Sequence, residues 1–241
     1  MTWHTKKLVA FDTETTGVDV ESDRIVTAAV LEIDPLEGGI VRHEWLINPG
    51  IDIPAEATAI HGITDAMAAE GRDPGEAVAE IALHLGAAWM EMTPVVAYNA
   101  SFDLTLLDRE LRRYRGEGLW HGSVIDPLVI DKHFNRYRPG SRKLVDVAKH
   151  YRIALSEMDA HGAAADALAA ARIAWTQARW YYPEISRMRL PELHANQEQW
   201  HAEQAASLAD YFHRQGRHSD ADSVSLDWPL RPAPASKAAT A

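Results

Sequence analysis

The sequence predicts an α/β fold in which helices pack on a mixed β-sheet. Three apolar, β-rich runs come first and are separated by turn residues, which is typical of antiparallel neighbours. Two further strand-like runs alternate with segments of helical periodicity, which is typical of parallel strands joined by helices. A chain of 241 residues, 46% of them apolar, is long enough to bury roughly 70–75% of its unfolded surface around such a sheet.

Five strands are predicted, and turn residues or polar residues bound them. The expected strands are residues 8–11, 25–33, 40–47, 95–98 and 123–125. The first ends at Asp12, the turn 35–39 separates the second from the third, and Asn48-Pro49-Gly50 ends the third. These boundaries predict a three-stranded meander that is extended into a mixed sheet by two later strands.

The segments between and after the later strands have the apolar spacing of helices. The expected helices are residues 74 to about 92, 101 to about 114, 126–134, 142–151 and 163–182. Pro94 ends the first of them, and Ser101 is the expected N-cap of the second. We therefore expect helices to flank the sheet.

The chain is expected to contain one compact domain followed by an extension and a tail. The domain covers residues 1–183, and residues 184–215 form a helical extension whose amphipathic helix, 190–215, docks on the domain. Ser, Asp, Pro and Ala dominate residues 216–241, so disorder is expected there. The apolar island 226–230 is expected to be an exposed remnant rather than a docking peptide.

Composition excludes several classes of function. The chain carries 35 acidic and 24 basic residues, a formal charge of −11, which argues against coating nucleic acid by bulk charge. The absence of cysteine excludes disulfides, thiolate metal sites and a cysteine nucleophile, and leaves metals held by oxygen or imidazole. No apolar stretch is long enough for a membrane helix, and the first residues lead into a strand-like run rather than a signal peptide, so we expect a cytoplasmic protein without a membrane partner.

One segment is basic although the chain is acidic. Residues 131–152 contain seven basic side chains against two acidic ones, and Arg142 and Lys143 follow a Pro139-Gly140-Ser141 loop as possible phosphate contacts. A solvated helix face is the alternative interpretation. A second basic group is expected to be an exposed helix face: Arg109, Arg112, Arg113 and Arg115.

Carboxylates stand where the predicted strands and helices begin or end. Asp12 and Glu14 alternate along the first strand and therefore project to the same face. Asp103 lies in a first helical turn on the apolar stripe, and Asp166 opens a later helix five residues after His161. Taken singly, each has an ordinary explanation, as a polar strand end, a complement to a helix dipole or a surface histidine.

Together, in this order, the residues resemble the histidine subclass of the DEDD 3′→5′ exonuclease superfamily, the DnaQ-like family. Asp12-Thr13-Glu14-Thr15-Thr16-Gly17 looks like its first motif, Asn99 to Asp103 like its second, and His161-x4-Asp166 like its third. Ile60-His61-Gly62-Ile63-Thr64 resembles a further segment of these proteins. The likeness covers about residues 7 to 181 and is strongest to the proofreading subunit of bacterial replicative polymerase.

The resemblance implies a ribonuclease-H-like fold and makes residues 1–183 an exonuclease domain. It also implies two divalent ions bound by Asp12, Glu14, Asp103 and Asp166, and oxygen ligands favour Mg²⁺ or Mn²⁺. His161 is the implied general base, a task suited to a side chain that titrates near neutral pH. By the same resemblance the terminal nucleotide is contacted by Thr15, His61, Asn99 and Phe102.

The expected reaction is the release of nucleoside 5′-monophosphates from single-stranded or frayed DNA 3′ ends, in proofreading or repair. Tyr98 stands where proofreading subunits often carry histidine, which alters the expected nucleotide contact but removes no metal ligand. The sequence shows no convincing clamp-binding pentapeptide and no polymerase module, so a DNA polymerase or a replication or repair complex is only a possible partner and a stand-alone bacterial or phage enzyme fits equally well. Two alternatives remain. One is an RNA-trimming member of the superfamily, because these motifs do not read the 2′-hydroxyl. The other is a catalytically silent nucleic-acid-binding adaptor, although such a protein is expected to have lost one of the acids.

Overall fold

A computed structural model describes residues 2–154 and 162–234 of the chain and contains one five-stranded sheet. The strands are β1 (Leu8–Thr15), β2 (Ile25–Asp34), β3 (Gly39–Leu46), β4 (Val95–Val96) and β5 (Val124–Ile125). Their order across the sheet is β3-β2-β1-β4-β5. The pairs β1–β2 and β2–β3 are antiparallel, while β1–β4 and β4–β5 are parallel. The predicted α/β fold with a mixed five-stranded sheet is confirmed.

Helices precede and follow the short parallel strands. They are α1 (Ala55–His61), α2 (Asp65–Ala68), α3 (Pro74–Met90), α4 (Ala100–Arg115), α5 (Pro127–Phe134), α6 (Leu144–His150), α7 (Ala163–Thr176), α8 (Pro183–Arg187), α9 (Leu190–Arg214) and α10 (His218–Asp222). The single helix predicted for 163–182 is divided, because a π-helical turn, Gln177–Tyr181, follows α7. Within the described ranges, no helix has both the length and the apolar character that crossing a lipid bilayer requires.

Strand β1 is longer than the sequence predicts. Its polar end continues the ladder with β2, where Asp12 pairs with Ala29 and Glu14 pairs with Thr27. The pairing register shifts immediately after Glu14, so the strand is regular up to the second acid and irregular beyond it. Backbone pairing therefore fixes the two carboxylates of the first motif.

Helix α4 begins one residue earlier than predicted, and Asn99 rather than Ser101 is its N-cap residue. Asn99 has a left-handed backbone with φ of 62°. The Asp126 carboxylate holds this turn by accepting the backbone N–H groups of Asn99 at 3.1 Å and Ala100 at 2.9 Å. A distant acid therefore sets the start of the helix that carries Asp103.

The sheet separates two helical layers. Directly paired residues share a face, so Asp12 and Glu14 lie on the same face as Ala29 and Thr27. Helix α7 packs on β1 and β2, while α3 packs on β2 and on α4. The largest completely buried side chains belong to both the sheet and these helices: Phe11, Leu31, Ile81, Leu85, Leu104, Leu107 and Ile125.

The C-terminal extension contacts the last parallel strand. Helix α9 packs against α5 and β5. The buried side chain of Gln197 donates to the Val124 carbonyl at 3.0 Å and accepts the Asp126 N–H at 2.7 Å. These bonds connect the extension to the strand and loop that also position α4.

The tail differs from the expected disorder over residues 216–234. Helix α10 lies within this segment, and Trp228 of the apolar island is 3% exposed and packs in the main core. The Arg231 N–H donates to Thr105 Oγ1 of α4 at 3.0 Å. The composition predicts disorder and an exposed apolar island, and both predictions are wrong here, because Trp228 lies in the core and Leu230 packs against it.

Arg109 is not part of an exposed helix face, so that prediction is wrong for this residue. It is 6% exposed and forms ion pairs with Glu21 and Asp108. Its guanidinium also donates to the backbone carbonyls of Arg231 and Pro232, at 3.3 and 2.7 Å. A buried guanidinium requires such partners, and the tail supplies two of them.

Replacing Trp228 with alanine is expected to lower the free energy of unfolding by about 3–5 kcal/mol, because the substitution leaves a cavity in the core. Urea denaturation of the full chain measures this loss. Trp180→Ala is the matched control, since Trp180 is 64% exposed and its removal is expected to cost much less. Equal, small losses for both variants would contradict the docked tail.

Candidate active site

Three carboxylates from two elements meet at the end of β1. Asp12 and Glu14 point from β1 to the same side of the sheet, and Asp166 lies in the first turn of α7. One carboxylate oxygen from each of the three acids lies within 4.8 Å of those of the other two. A polar strand end or an acid that complements a helix dipole does not need to lie close to other acids. The convergence of acids that are far apart in sequence therefore needs another explanation.

Asp103 approaches from α4 and is 4% exposed. Its Oδ1 accepts hydrogen bonds from the Thr13 backbone N–H at 3.1 Å and from Thr13 Oγ1 at 2.6 Å. Thr13 therefore ties the second motif to the middle of the first. Asp103 does not belong to the group of three oxygens, but with Asp12, Glu14 and Asp166 it lines an open cavity of about 410 Å³.

The four acids are electrostatically unfavourable in the absence of cations. Burial, followed by repulsion from Asp103, Asp166 and Glu14, holds the pKa of Asp12 well above its ordinary value. Burial and then repulsion from Asp166 and Asp103 raise the pKa of Glu14 to about 7. Burial also raises the pKa of Asp103 to about 7, although the hydrogen bonds from Thr13 oppose this shift.

This donor set fits hard divalent cations. All four candidate ligands are carboxylates, three of them share one small space, and bound positive charge removes the repulsion that raises their pKa values. The residues present therefore satisfy the chemical requirement for Mg²⁺ or Mn²⁺, and Asp12, Glu14 and Asp166 are the nearest ligands.

The expected nucleotide contacts lie around the acids but not all in one cavity. Asn99 and Phe102 line the same cavity as the carboxylates. His61 lines a neighbouring cavity of about 550 Å³, which also reaches Glu14, and burial lowers the pKa of His61. The Thr15 hydroxyl donates to the Gly17 carbonyl at 2.6 Å, so it also stabilises the turn after β1.

The two expected phosphate contacts have different environments. Both Arg142 and Lys143 line the acidic cavity. The Arg142 guanidinium is engaged by the buried carboxylate of Asp131 and by the Asn135 carbonyl at 2.7 Å. Lys143 is exposed and is the N-cap residue of α6. Of the two, Lys143 is therefore the side chain more available to a phosphate, and Arg142 holds the loop that presents it.

Sequence reasoning missed Asp126 and Thr13. Asp126 is 1% exposed and its carboxylate shapes the turn at Asn99, which borders the cavity. The Asp126-Pro127 pair is a helix-start signal that could have identified it, because Asp commonly caps helices that begin with Pro. Nothing in the local sequence indicates that Thr13 binds Asp103, which is 90 residues away.

The implied general base, His161, lies outside the described residues. The following residue, Gly162, is described and lines the cavity that reaches Glu14.

Comparisons with known proteins agree on a family. A family model described as Exonuclease, RNase_T, matches residues 9–174. An uncharacterized exonuclease of Escherichia phage 186 is 32% identical over 177 residues, which cover 68% of this chain and 84% of the phage protein. DNA polymerase III subunit epsilon of Treponema pallidum is 36% identical over 121 residues, which cover 50% of this chain and 53% of that subunit. The chain thus spans about half the length of the epsilon subunit.

A solved structure supports the same fold. Exonuclease I of E. coli, in complex with a dT13 oligonucleotide, matches this structure with a TM-score of 0.61. The match covers 72% of this chain and 41% of exonuclease I, at 22% sequence identity. The five-stranded sheet with flanking helices is therefore a ribonuclease-H-like fold.

The metal-free protein is expected to lose stability as pH rises from about 4.5 to about 7. Glu14 has an ordinary pKa of 4.5 and a folded value of about 7, so in this window the folded state binds more protons than the unfolded state. Asp12→Asn is expected to reduce this loss and to raise the melting temperature at pH 7 by about 2–4 °C, the shift for roughly 1 kcal/mol in a protein of this size.

Thermal unfolding in a chelator between pH 5 and 8 measures both effects. Asp146→Asn, which alters an exposed acid of α6, is the matched control and is expected to follow the wild type. Mg²⁺ is expected to stabilise the wild type more than Asp12→Asn. An unchanged pH slope in Asp12→Asn contradicts the electrostatic assignment.

Proposed function

Because the chain belongs to the RNase_T exonuclease family of the DEDD superfamily, we propose that it is a metal-dependent 3′→5′ exonuclease acting on DNA. The proposed reaction releases nucleoside 5′-monophosphates from single-stranded or frayed 3′ ends. The observation that carries this proposal is the convergence of Asp12, Glu14 and Asp166 within 4.8 Å, beside the buried Asp103. A silent adaptor has no need to maintain a cluster of repelling acids.

Asp12, Glu14, Asp103 and Asp166 would hold two divalent cations. When bound, such a pair activates a water molecule and stabilises the departing 3′ oxygen. The carboxylates would fix the positions of the cations, and the fold in turn fixes the carboxylates. The β1–β2 ladder holds Asp12 and Glu14, and Thr13 holds Asp103. Both supports are made by backbone or short side chains, which limits the freedom of the site.

His161 is the proposed general base. It follows Asp159-Ala160 in the chain and immediately precedes Gly162, which lines the cavity that reaches Glu14. A neutral imidazole nitrogen of His161 would accept the proton of the attacking water as the new P–O bond forms. The bond between phosphorus and the 3′ oxygen breaks, and the departing oxygen takes a proton from solvent.

The shape of the site supports an unpaired end as substrate. Phe102 is half-buried and lines the acidic cavity, where its ring can stack on a terminal base, a contact worth roughly 1–3 kcal/mol. Asn99 lies beside it, while Thr15 and His61 are the proposed contacts on the Glu14 side. A paired terminus must fray before its base can reach this position.

Phosphates further along the strand are proposed to contact Lys143 and the basic segment 131–152. Lys143 is exposed at the rim of the acidic cavity. A few such contacts position a backbone without making the whole protein basic. By likeness to the epsilon subunit of Treponema pallidum, a DNA polymerase or a replication or repair complex in the cytoplasm is the proposed setting.

Incubating the purified chain and Mg²⁺ with single-stranded DNA labelled at its 5′ end is expected to give products that shorten stepwise. A 3′ label is expected to leave at once as a mononucleotide. Asp12→Ala and Asp103→Ala are expected to abolish both signals while the far-ultraviolet circular dichroism stays unchanged. Asp210→Ala, which alters an exposed acid of α9, is the matched control and is expected to keep full activity.

Three outcomes contradict the proposal. If the 5′ label is released first, the polarity of digestion is the opposite of that proposed. Near wild-type turnover in Asp103→Ala would mean that Asp103 does not belong to the site. Faster hydrolysis of a matched RNA oligomer makes the protein an RNA-trimming exonuclease.

His161→Ala is expected to lower turnover by about 10²- to 10⁴-fold, the usual contribution of a general base. Affinity for single-stranded DNA, measured by fluorescence anisotropy in Ca²⁺, is expected to change little, and the acidic limb of the pH–rate profile is expected to disappear. His213→Ala, which alters an exposed histidine in the last turn of α9, is the matched control. A collapse of affinity with little loss of turnover would assign His161 to binding instead.

A further inference from the structure

A second group of potential metal ligands lies on the other face of the sheet. Glu32 belongs to β2, His43 to β3 and His84 to α3. One ligand atom from each residue lies within 4.8 Å of those of the other two. No motif connects these residues, and the exonuclease reaction does not use them.

The strand register separates this group from the catalytic acids. Asp12 and Glu14 pair with Ala29 and Thr27, whereas Glu32 is an odd number of residues from both partners and therefore faces the opposite side. Glu32 is five residues from Thr27 along β2, which corresponds to about 17 Å. An ion bound here cannot share ligands with the active site.

The distances among the three side chains suit one small cation. Glu32 Oε1 lies 3.1 Å from His43 Nε2 and 3.8 Å from His84 Nδ1. The two imidazole centroids are 4.0 Å apart. Ligand atoms bound to tetrahedral Zn²⁺ at about 2.0–2.1 Å are separated by about 3.3–3.4 Å, so both distances to Glu32 lie within about 0.5 Å of the required value.

Neighbouring side chains restrain both histidines. The buried Trp45 ring stacks on His43 at 6.3 Å between centroids and meets His84 edge-on at 5.7 Å. Trp45 Nε1 donates to Glu80 at 3.1 Å, and Arg72 holds Glu80 through two hydrogen bonds of 2.6 Å. The imidazoles are therefore positioned by a built environment rather than free on the surface.

We propose that Glu32, His43 and His84 form a binding site for a late first-row divalent cation, Zn²⁺ foremost, that links β2, β3 and α3. Two imidazoles and one carboxylate are a common Zn²⁺ ligand set and differ from the all-carboxylate set of the active site. Water would supply the remaining ligand, and Glu32 and His84 line a cavity of about 330 Å³. The site is structural in its effect, because it joins three elements.

The test measures Zn²⁺ binding to the full chain after chelation and dialysis. Asp12→Asn/Asp166→Asn is used as the background, so that the active site does not contribute. Isothermal titration is expected to give one Zn²⁺ per chain, and Co²⁺ is expected to give the visible absorption bands of a four-coordinate ion. Zn²⁺ is also expected to raise the melting temperature.

Adding Glu32→Gln or His84→Asn to this background is expected to weaken Zn²⁺ binding at least about tenfold and to abolish the stabilisation. Glu32→Gln preserves shape, and the Glu32 side chain is 51% exposed, so this variant is expected to fold. His213→Asn is the matched control, because it alters another histidine that has a histidine neighbour. Unchanged affinity in both ligand variants, or no stoichiometric Zn²⁺ binding in the background, overturns the proposal without affecting the proposed exonuclease activity.

Discussion

The mutual repulsion of four carboxylates is the constraint on which this structure depends. Asp12 stands among Glu14, Asp103 and Asp166, and the fold must hold all four together although each raises the charge density around it. It does so with supports that do not depend on the acids themselves. The β1–β2 ladder fixes two of them, Thr13 fixes the third, and the packing of α7 on β1 positions the fourth. The packing and hydrogen bonds of the scaffold therefore compensate for the electrostatic repulsion among the four acids.

The buried acid Asp126 connects this centre to the C-terminal extension. The Asp126 carboxylate accepts the N–H groups that form the left-handed turn at Asn99, and its own N–H donates to Gln197 of α9. The extension therefore supports the loop from which α4, Asp103 and Phe102 start. If α9 were displaced, the Asp126 N–H would lose its hydrogen bond to Gln197. The packing of α9 therefore affects the loop that borders the site.

The sheet and the candidate acids could be predicted from local patterns. Alternation, turn residues and the order of the motifs identify all five strands and the elements that carry Asp12, Glu14, Asp103 and Asp166. What could not be predicted depends on partners distant in sequence. Arg109 is buried because residues 231 and 232 meet it, and the composition of the tail gives no indication of that contact.

The same limit applies to Glu32, His43 and His84. Glu32 and His43 are diagonal neighbours on adjacent strands, and His84 faces them from a helix. Neither relation produces a recognisable sequence motif. By contrast, catalytic acids on strand ends and helix starts carry a recognisable spacing. Sequence patterns thus identify a site when its residues are confined to short segments, and they fail when each ligand comes from the middle of a different element.

The acidity of the whole chain is consistent with an enzyme that handles only the end of a polyanion. A net charge of −11 disfavours binding along a duplex, and the carboxylate cluster by itself repels phosphate. Basic side chains lie beside the acids on two sides: Arg142 and Lys143 line the acidic cavity, and Arg42 lines the neighbouring cavity that reaches Glu14. In the proposed reaction, two divalent cations would neutralise the four carboxylates at the position that the phosphodiester must reach. Cation binding and productive substrate binding would therefore be coupled through the same four carboxylates.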